Sequence, residues 1–198
     1  MGERLQTVRS FSRVLFAIVV LCLGTAPLIS TSLQNFATDL DGKPVDPFRA
    51  ARSKVVVLIF VRTDCPVSNR YAPTIQQLSA HDADKAVFFL VYPSKNETSE
   101  TIRKHDREFG YTLAALLDPQ HILVKQSQAQ ITPEAAVFGA NRRLVYHGRI
   151  DNLYEDFGHA RKSATTHELA DAIEAAVTGK TLSGKDTPAV GCYISDLE

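Results

Sequence analysis

Cys65 is the residue whose type and position most clearly suggest chemistry. It lies in the segment 63–78 (TDCPVSNRYAPTIQQL), which Arg62 separates from the apolar run 54–61 (KVVVLIFV). Such a run predicts a buried strand, and Pro66 suits the first turn of a helix because that position needs no backbone N–H. A thiol at a helix start faces unpaired N–H groups and the positive end of the helix dipole, which favour the thiolate. The pattern therefore predicts that Cys65 is a nucleophile.

Polar side chains on both sides of Cys65 could tune this thiol. Ser68 could donate its hydroxyl to the thiolate, or it could simply cap the helix. Arg62 and Arg70 could add positive potential or lie in solvent. Asp64 would disfavour the thiolate unless its side chain turns outward.

Cys192 is the second thiol that could take part. If the C-terminal segment folds back over the domain, Cys192 could resolve an oxidised Cys65 as a disulfide. That pairing requires the two Cα atoms to come within about 7 Å. Otherwise Cys192 is an exposed thiol or pairs with another chain. The third cysteine, Cys22, is interpreted as part of an apolar N-terminal run.

Apolar runs and helical periodicity predict the elements that position Cys65. Besides 54–61, the segment 86–92 (AVFFLVY) is too apolar for an edge strand. Helical spacing predicts a helix over about 69–80. Capping-box patterns at Ser94/Glu97 and at Thr165/Glu168 predict two later helices, which end at Gly110 and Gly179. Strands alternating with helices predict an α/β domain with a mixed sheet covered on both faces.

The order of these features resembles the thioredoxin superfamily, and within it the redoxin and peroxiredoxin (alkyl hydroperoxide reductase and thiol-specific antioxidant) branch. Pro73 lies eight residues after Cys65, where thioredoxins carry a kinking proline. Residues 35–45 (NFATDLDGKPV) look like the opening hairpin of that branch, and 137–150 like the edge hairpin that follows the cis-proline. Residues 113–128 resemble the central insertion of redoxins. The resemblance covers roughly residues 33–177.

The resemblance implies a site around Cys65 at the exposed carboxyl edge of the sheet. Pro133 would be cis and would place the backbone of Thr132 beside the sulfur, where it binds an extended substrate. Together with Thr63, Pro66 and Ser68, the Thr132–Pro133 pair would form a substrate groove. The chain departs from both chemical signatures of the family. Ser68 replaces the second cysteine of Cys-x-x-Cys, and Thr63 lies two residues before Cys65, where peroxiredoxins place a threonine three before.

Composition and the N-terminal segment bear on the partners, the location and the domain limits of the protein. The 198 residues carry 22 basic and 22 acidic side chains with no basic stripe, which argues against a nucleic-acid partner. Arginines precede about ten apolar residues and a small-residue exit, so residues 1–32 are predicted to be a secretory signal or an uncleaved signal anchor. The redoxin-like domain would then span 33–179, with 180–198 as a tail over its surface. The scattered histidines suggest no metal site, and no cofactor is expected.

The sequence therefore predicts an exported thiol oxidoreductase. In this hypothesis the Cys65 thiolate attacks a protein disulfide or a peroxide, and Cys192 or an external thiol reductant completes the cycle. Disulfide exchange and peroxide reduction remain equally open. The alternative is a non-catalytic module that holds an extended peptide in the groove beside Pro133. Apart from an N-terminal anchor, no contact with a membrane is expected.

Overall fold

The apolar segments predicted as strands form the centre of one mixed β-sheet. A computed structural model of the chain describes residues 37–52, 54–182, 186–195 and 197. The strands are β1 (Ala37–Thr38), β2 (Pro44–Val45), β3 (Val55–Phe60), β4 (Ala86–Tyr92), β5 (Ala114–Leu117), β6 (Ile131–Thr132), β7 (Glu134–Phe138), β8 (Leu144–Gly148), β9 (Tyr154–Asp156), β10 (His159–Ala160), β11 (Asp186–Thr187) and β12 (Cys192–Tyr193). The helices are α1 (Pro47–Ala50), α2 (Pro66–His81), α3 (Ser99–Phe109), α4 (Ile122–Ser127) and α5 (Glu168–Thr178).

The main sheet has the order β11-β8-β7-β3-β4-β5-β1-β2. Strands β3, β4 and β5 run parallel, whereas β7 and β8 are antiparallel additions to the other side of β3. Strands β1 and β2 form the predicted opening hairpin at the far edge. Every residue of β3 is buried, because this strand lies in the middle of the sheet. The carboxyl end of β3 delivers the chain to Cys65.

The core lies on both faces of the sheet, as alternation along β3 requires. Val57 and Ile59 point to a cluster that includes apolar residues of α2, α3 and α5. Leu58 and Phe60 point to a second cluster with residues of α4. The prediction of a mixed sheet flanked by helices is confirmed.

Helix starts are where the structure departs from the predicted elements. Helix α2 begins at Pro66, three residues before the predicted start. The capping box of α3 is formed by Thr98 and Thr101, so the Ser94/Glu97 pattern was wrong. Helix α5 begins after His167 without a side-chain cap, so the Thr165/Glu168 pattern was also wrong. Gly110 and Gly179 do end their helices, each in the left-handed conformation.

The C-terminal segment is built into the fold more deeply than a surface tail. Strand β11 pairs in parallel with β8, so the hairpin β7–β8 is not at the edge of the sheet as predicted. Gly148 permits this close strand pairing, because a Cβ at that position would lie 2.3 Å from the carbonyl oxygen of Thr187. Strand β12 then pairs with β6. The predicted N-terminal signal at residues 1–32, with Cys22, lies outside the described residues.

Candidate active site

Cys65 is the N-cap residue of α2, with extended backbone angles of φ −91° and ψ 110°. Pro66 takes the first helical position, and the carbonyl oxygen of Cys65 accepts a hydrogen bond of 3.0 Å from the backbone N–H of Asn69. The sulfur therefore lies at the N-terminal end of a 16-residue helix. This is the arrangement that the sequence predicts for a stabilised thiolate.

The side chain of Cys65 is fully buried, contrary to the expectation that this junction is exposed. Cys65 belongs to the apolar cluster on the α2 side of the sheet, and Cys192 of the tail strand β12 packs against that cluster. The sulfur nevertheless has a polar partner. In its thiol form Cys65 Sγ donates a hydrogen bond of 3.0 Å to the carbonyl oxygen of Thr132.

Strand β12 brings Cys192 to the same place. Cys192 lies opposite Thr132 in the antiparallel β6–β12 pair, and Thr132 Oγ1 donates to the carbonyl oxygen of Cys192 at 3.3 Å. The backbone of Gly191 passes so close that a Cβ there would lie 2.0 Å from the Thr132 carbonyl oxygen. On the other side, Ile194 is buried, and its N–H donates to the carbonyl oxygen of Gln130 at 2.9 Å. The tail is thus fixed on both sides of Cys192.

Both cysteines are free, and each affects the pKa of the other. Burial raises the pKa of Cys65, but hydrogen bonds from Cys192 and from the side chain and N–H of Ser68 outweigh it, so the pKa is lowered overall. Burial, the hydrogen bond to Cys65 and the charge of Cys65 raise the pKa of Cys192 to about 12. The site therefore favours the thiolate at Cys65 and disfavours it at Cys192.

Ser68 has a fully buried side chain in the first turn of α2. Its Oγ makes no hydrogen bond to the described residues while Cys65 is a thiol. The hydroxyl and the N–H of Ser68 lower the pKa of Cys65, so we expect the hydroxyl to donate to the sulfur once the sulfur is ionised.

The charged residues beside Cys65 pair with each other and with the tail. Arg62 Nη2 and Asp64 Oδ2 are 2.8 Å apart, and the side chain of Asp64 is 67% exposed. Arg62 Nη1 also donates to the carbonyl oxygen of Tyr193 at 3.4 Å. The outward turn of Asp64 removes its conflict with a thiolate. Arg70 is exposed.

Thr63 is held by side chains that the sequence patterns did not identify as part of the site. Its N–H donates to Glu97 Oε1 at 2.6 Å, and its carbonyl oxygen accepts from Asn69 Nδ2 at 3.2 Å. His105 Nε2 contacts Asn69 Oδ1 at 2.8 Å and so fixes that amide. Burial raises the pKa of Glu97, although the hydrogen bond from Thr63 opposes it. Glu97 was interpreted as a helix cap, and no local signal distinguishes the two roles.

The strand edge at Thr132 is occupied in this structure. The Thr132–Pro133 peptide bond is cis, and Thr132 is buried beside Cys65. The predicted partner of this edge was an extended substrate, but β12 takes the place. Of the predicted groove residues, Thr132 accepts a hydrogen bond from the sulfur and Ser68 lowers the pKa of Cys65. Pro66 is exposed, and the backbone N–H of Thr63 is bound to Glu97.

Metal-binding and membrane-spanning features were sought in the described ranges. They contain no group of three or more His, Cys, Asp or Glu side chains arranged to hold a metal ion. Among the helices α1 to α5, none is long and apolar enough to cross a bilayer.

Solved structures with the same architecture come from several bacteria. A hypothetical protein from Sinorhizobium meliloti 1021 is 24% identical, with a TM-score of 0.68 and coverage of 80% of this chain and 89% of that chain. An uncharacterized conserved protein from Geobacillus kaustophilus is 21% identical, with a TM-score of 0.65 and coverage of 80% and 87%. The dsbF protein of Mycobacterium tuberculosis, seen in mixed oxidized and reduced forms, is 16% identical, with a TM-score of 0.53 and coverage of 72% and 95%. These likenesses show that the fold is thioredoxin-like.

The family model described as Redoxin matches residues 25–162, which is more than half of the chain. The chain therefore belongs to the redoxin family, and the predicted membership is confirmed. No curated protein matches the sequence. Family membership supports a thiol redox function.

Proposed function

We propose that this redoxin is an exported thiol oxidoreductase that cycles Cys65 and Cys192 between a dithiol and an intramolecular disulfide. The observation that carries the proposal is the contact of both cysteines with Thr132. Cys192 pairs with Thr132 across β6 and β12, and Cys65 Sγ donates to the carbonyl oxygen of Thr132 at 3.0 Å. The two cysteines are far apart in sequence, so the fold has to bring them together. Two thiols held together at a helix N-terminus have a use in redox chemistry that a structural role does not require.

The cycle begins at Cys65, whose thiolate is the nucleophile. With a disulfide RSSR, the thiolate forms a mixed disulfide and expels RS⁻. With a peroxide ROOH, it forms a sulfenic acid and releases an alkoxide, which takes up a proton. The sulfur of Cys192 then attacks the modified sulfur of Cys65 and loses its proton, which gives the Cys65–Cys192 disulfide and releases either RSH or water. A thiol reductant returns both residues to thiols.

Size favours a small oxidant while β12 is in place. Cys65 is fully buried beneath the tail, so a protein disulfide has to displace β12 before it reaches the sulfur. The same pairing weighs against the peptide-binding module, because the strand edge that would hold the peptide is filled by the chain itself. A thiol oxidoreductase is the function that the geometry supports best.

Mass spectrometry of the mature protein tests the cycle. The reduced protein is treated with one equivalent of hydrogen peroxide, or separately with oxidised dithiothreitol, and free thiols are then alkylated. We expect loss of two hydrogen atoms and a peptide cross-link between Cys65 and Cys192. Cys65→Ser should abolish the reaction, and Cys192→Ser should stop it at a modified Cys65. Oxidation of Cys65 to the sulfinic acid with Cys192 still free would contradict the proposal.

Export is part of the proposal and rests on the predicted signal at residues 1–32. Cell fractionation of the full chain against a variant that lacks residues 2–32 tests it. The full chain should be found outside the cytoplasm, and the shortened one inside. Retention of both proteins in the cytoplasm would contradict export but not the proposed thiol chemistry.

A further inference from the structure

The two sulfurs of the proposed disulfide differ in how an incoming thiol can reach them. Cys65 is fully buried, whereas Cys192 is only half-buried. Cys192 also lines an open groove of about 540 Å³. Cys65 does not line that groove.

Two exposed aromatic side chains belong to this groove, which we call the tail groove. It is lined by Ile131, Glu155, Asp156, Phe157, Ala189, Val190, Gly191, Cys192 and Tyr193. Phe157 is 61% exposed and Tyr193 is 77% exposed, and these are the most exposed large apolar side chains of the described residues. Scattered exposed apolar residues are ordinary, but here both lie in the groove that contains a thiol.

We propose that the tail groove is the docking site for a cysteine of a polypeptide partner, which attacks Cys192 rather than Cys65 in the Cys65–Cys192 disulfide. This inference rests on the proposed function and extends it to the exchange partner. The occupant is a polypeptide thiol because the groove is much larger than one cysteine side chain. Its aromatic side chains can contact the residues that flank that cysteine.

The chemistry of thiol exchange favours the same sulfur. Exchange is fastest when the departing thiolate is the better leaving group. Attack at Cys192 expels Cys65, which is stabilised at the helix N-terminus by Ser68. Attack at Cys65 would have to expel Cys192, whose thiolate the site disfavours. The accessibility of Cys192 and the stability of the departing Cys65 thiolate therefore both favour attack at Cys192.

The exchange is balanced in two steps. The partner thiolate forms a bond to Cys192 Sγ, the Cys65–Cys192 bond breaks, and the electron pair leaves on Cys65. A second thiolate of the partner then attacks the partner's own sulfur and releases Cys192, which takes a proton from water. The partner dithiol is oxidised to a disulfide, and the redoxin is reduced by the same two electrons.

Trapping of the mixed disulfide identifies the attacked sulfur. Protein first shown by mass to hold the Cys65–Cys192 disulfide is mixed with a short peptide that contains a single cysteine. The reaction is quenched after a few seconds with N-ethylmaleimide. We expect the peptide on Cys192 and the maleimide on Cys65. The reverse labelling in most trapped molecules would overturn the inference while leaving the proposed function intact; absence of the initial disulfide would overturn both.

Variants of the groove test whether it recognises the partner. Phe157→Ala combined with Tyr193→Ala should slow exchange with a peptide thiol by about tenfold, since two aromatic contacts are lost. Exchange with the small thiol 2-mercaptoethanol should change by less than about twofold, because it uses Cys192 but few groove contacts. Val177→Ala, an exposed apolar residue on α5, is the matched control and should leave both rates unchanged. Equal losses for peptide and small thiol, or no loss for either, would overturn the docking role.

Discussion

The substitution Gly191→Ala adds a methyl group that should move Cys192 away from Cys65 without contacting either sulfur. The Cβ of Gly191→Ala would lie 2.0 Å from the carbonyl oxygen and 2.7 Å from the carbonyl carbon of Thr132. Real contacts of this kind are about 3.0 Å or longer, so the tail has to move outward by about 1 Å. Both obstructing atoms are backbone, so a change of rotamer cannot relieve the clash. The movement would pull Cys192 away from Cys65.

The expected consequence is a slower closure of the disulfide. A misplacement of about 1 Å between reacting groups can cost about a hundredfold in rate. Since the tail can flex, we expect Gly191→Ala to slow closure by at least about tenfold. The assay mixes reduced protein with excess oxidised dithiothreitol, quenches samples with N-ethylmaleimide and measures the disulfide fraction by mass.

A matched glycine in another turn is the control. A Cβ at Gly139 would lie 3.1 Å from Asn141 Oδ1, the end of a side chain that can move, so Gly139→Ala should close at the wild-type rate. Circular dichroism melting would show whether either variant is unfolded. If folded Gly191→Ala closes its disulfide as fast as the wild type, the tail does not position Cys192, and the argument for a paired site fails.

Substitutions at three further positions test the electrostatics and the anchoring of the site. Cys192→Ala should shift the alkylation profile of Cys65 to higher pH and reduce the thiolate fraction about tenfold at pH values below the pKa, because a hydrogen bond to a charged acceptor is worth about 1.5 kcal/mol. Cys192→Ser keeps a donor and should show most of the wild-type profile. Identical profiles for Cys192→Ala and the wild type would refute the contact. Ser68→Ala should move the profile in the same direction, and a downward movement would mean that the hydroxyl does not stabilise the thiolate. Ile194→Ala should lower the free energy of unfolding by about 2 kcal/mol and speed proteolysis of the tail, because it leaves a cavity where a buried side chain packs. Unchanged melting and proteolysis would show that Ile194 does not anchor the tail.

The elements around Cys65 could be predicted because their signals are local and strong. The run 54–61 is entirely apolar apart from its first residue, and Pro66 suits the first turn of a helix, so the strand and the place of Cys65 between strand and helix could be predicted. Helix ends were clear for a similar reason, since Gly110 and Gly179 supply the left-handed conformation without strain. Capping boxes were less reliable. Ser94/Glu97 and Thr98/Thr101 overlap, and only tertiary contact with Thr63 decides between them.

The covering of the site could not be predicted from the sequence. Strands β11 and β12 have two residues each, too few to show any periodicity. Their places are fixed by close backbone approaches at Gly148 and Gly191, and a glycine in sequence does not reveal which backbone it approaches. The burial of Cys65 follows from these contacts, so it too was outside the reach of local patterns. Cys192 could be named as a candidate partner of Cys65, but local patterns could not decide whether the fold brings the two residues together.

Strand β12 is not part of the main sheet, so the sheet is complete without it. Detachment of this strand alone would leave the sheet intact while it uncovered Cys65 and moved Cys192 away from it. Local opening of the tail would therefore leave Cys65 as the single thiol of the site, and re-pairing of β12 with β6 would bring the second thiol back.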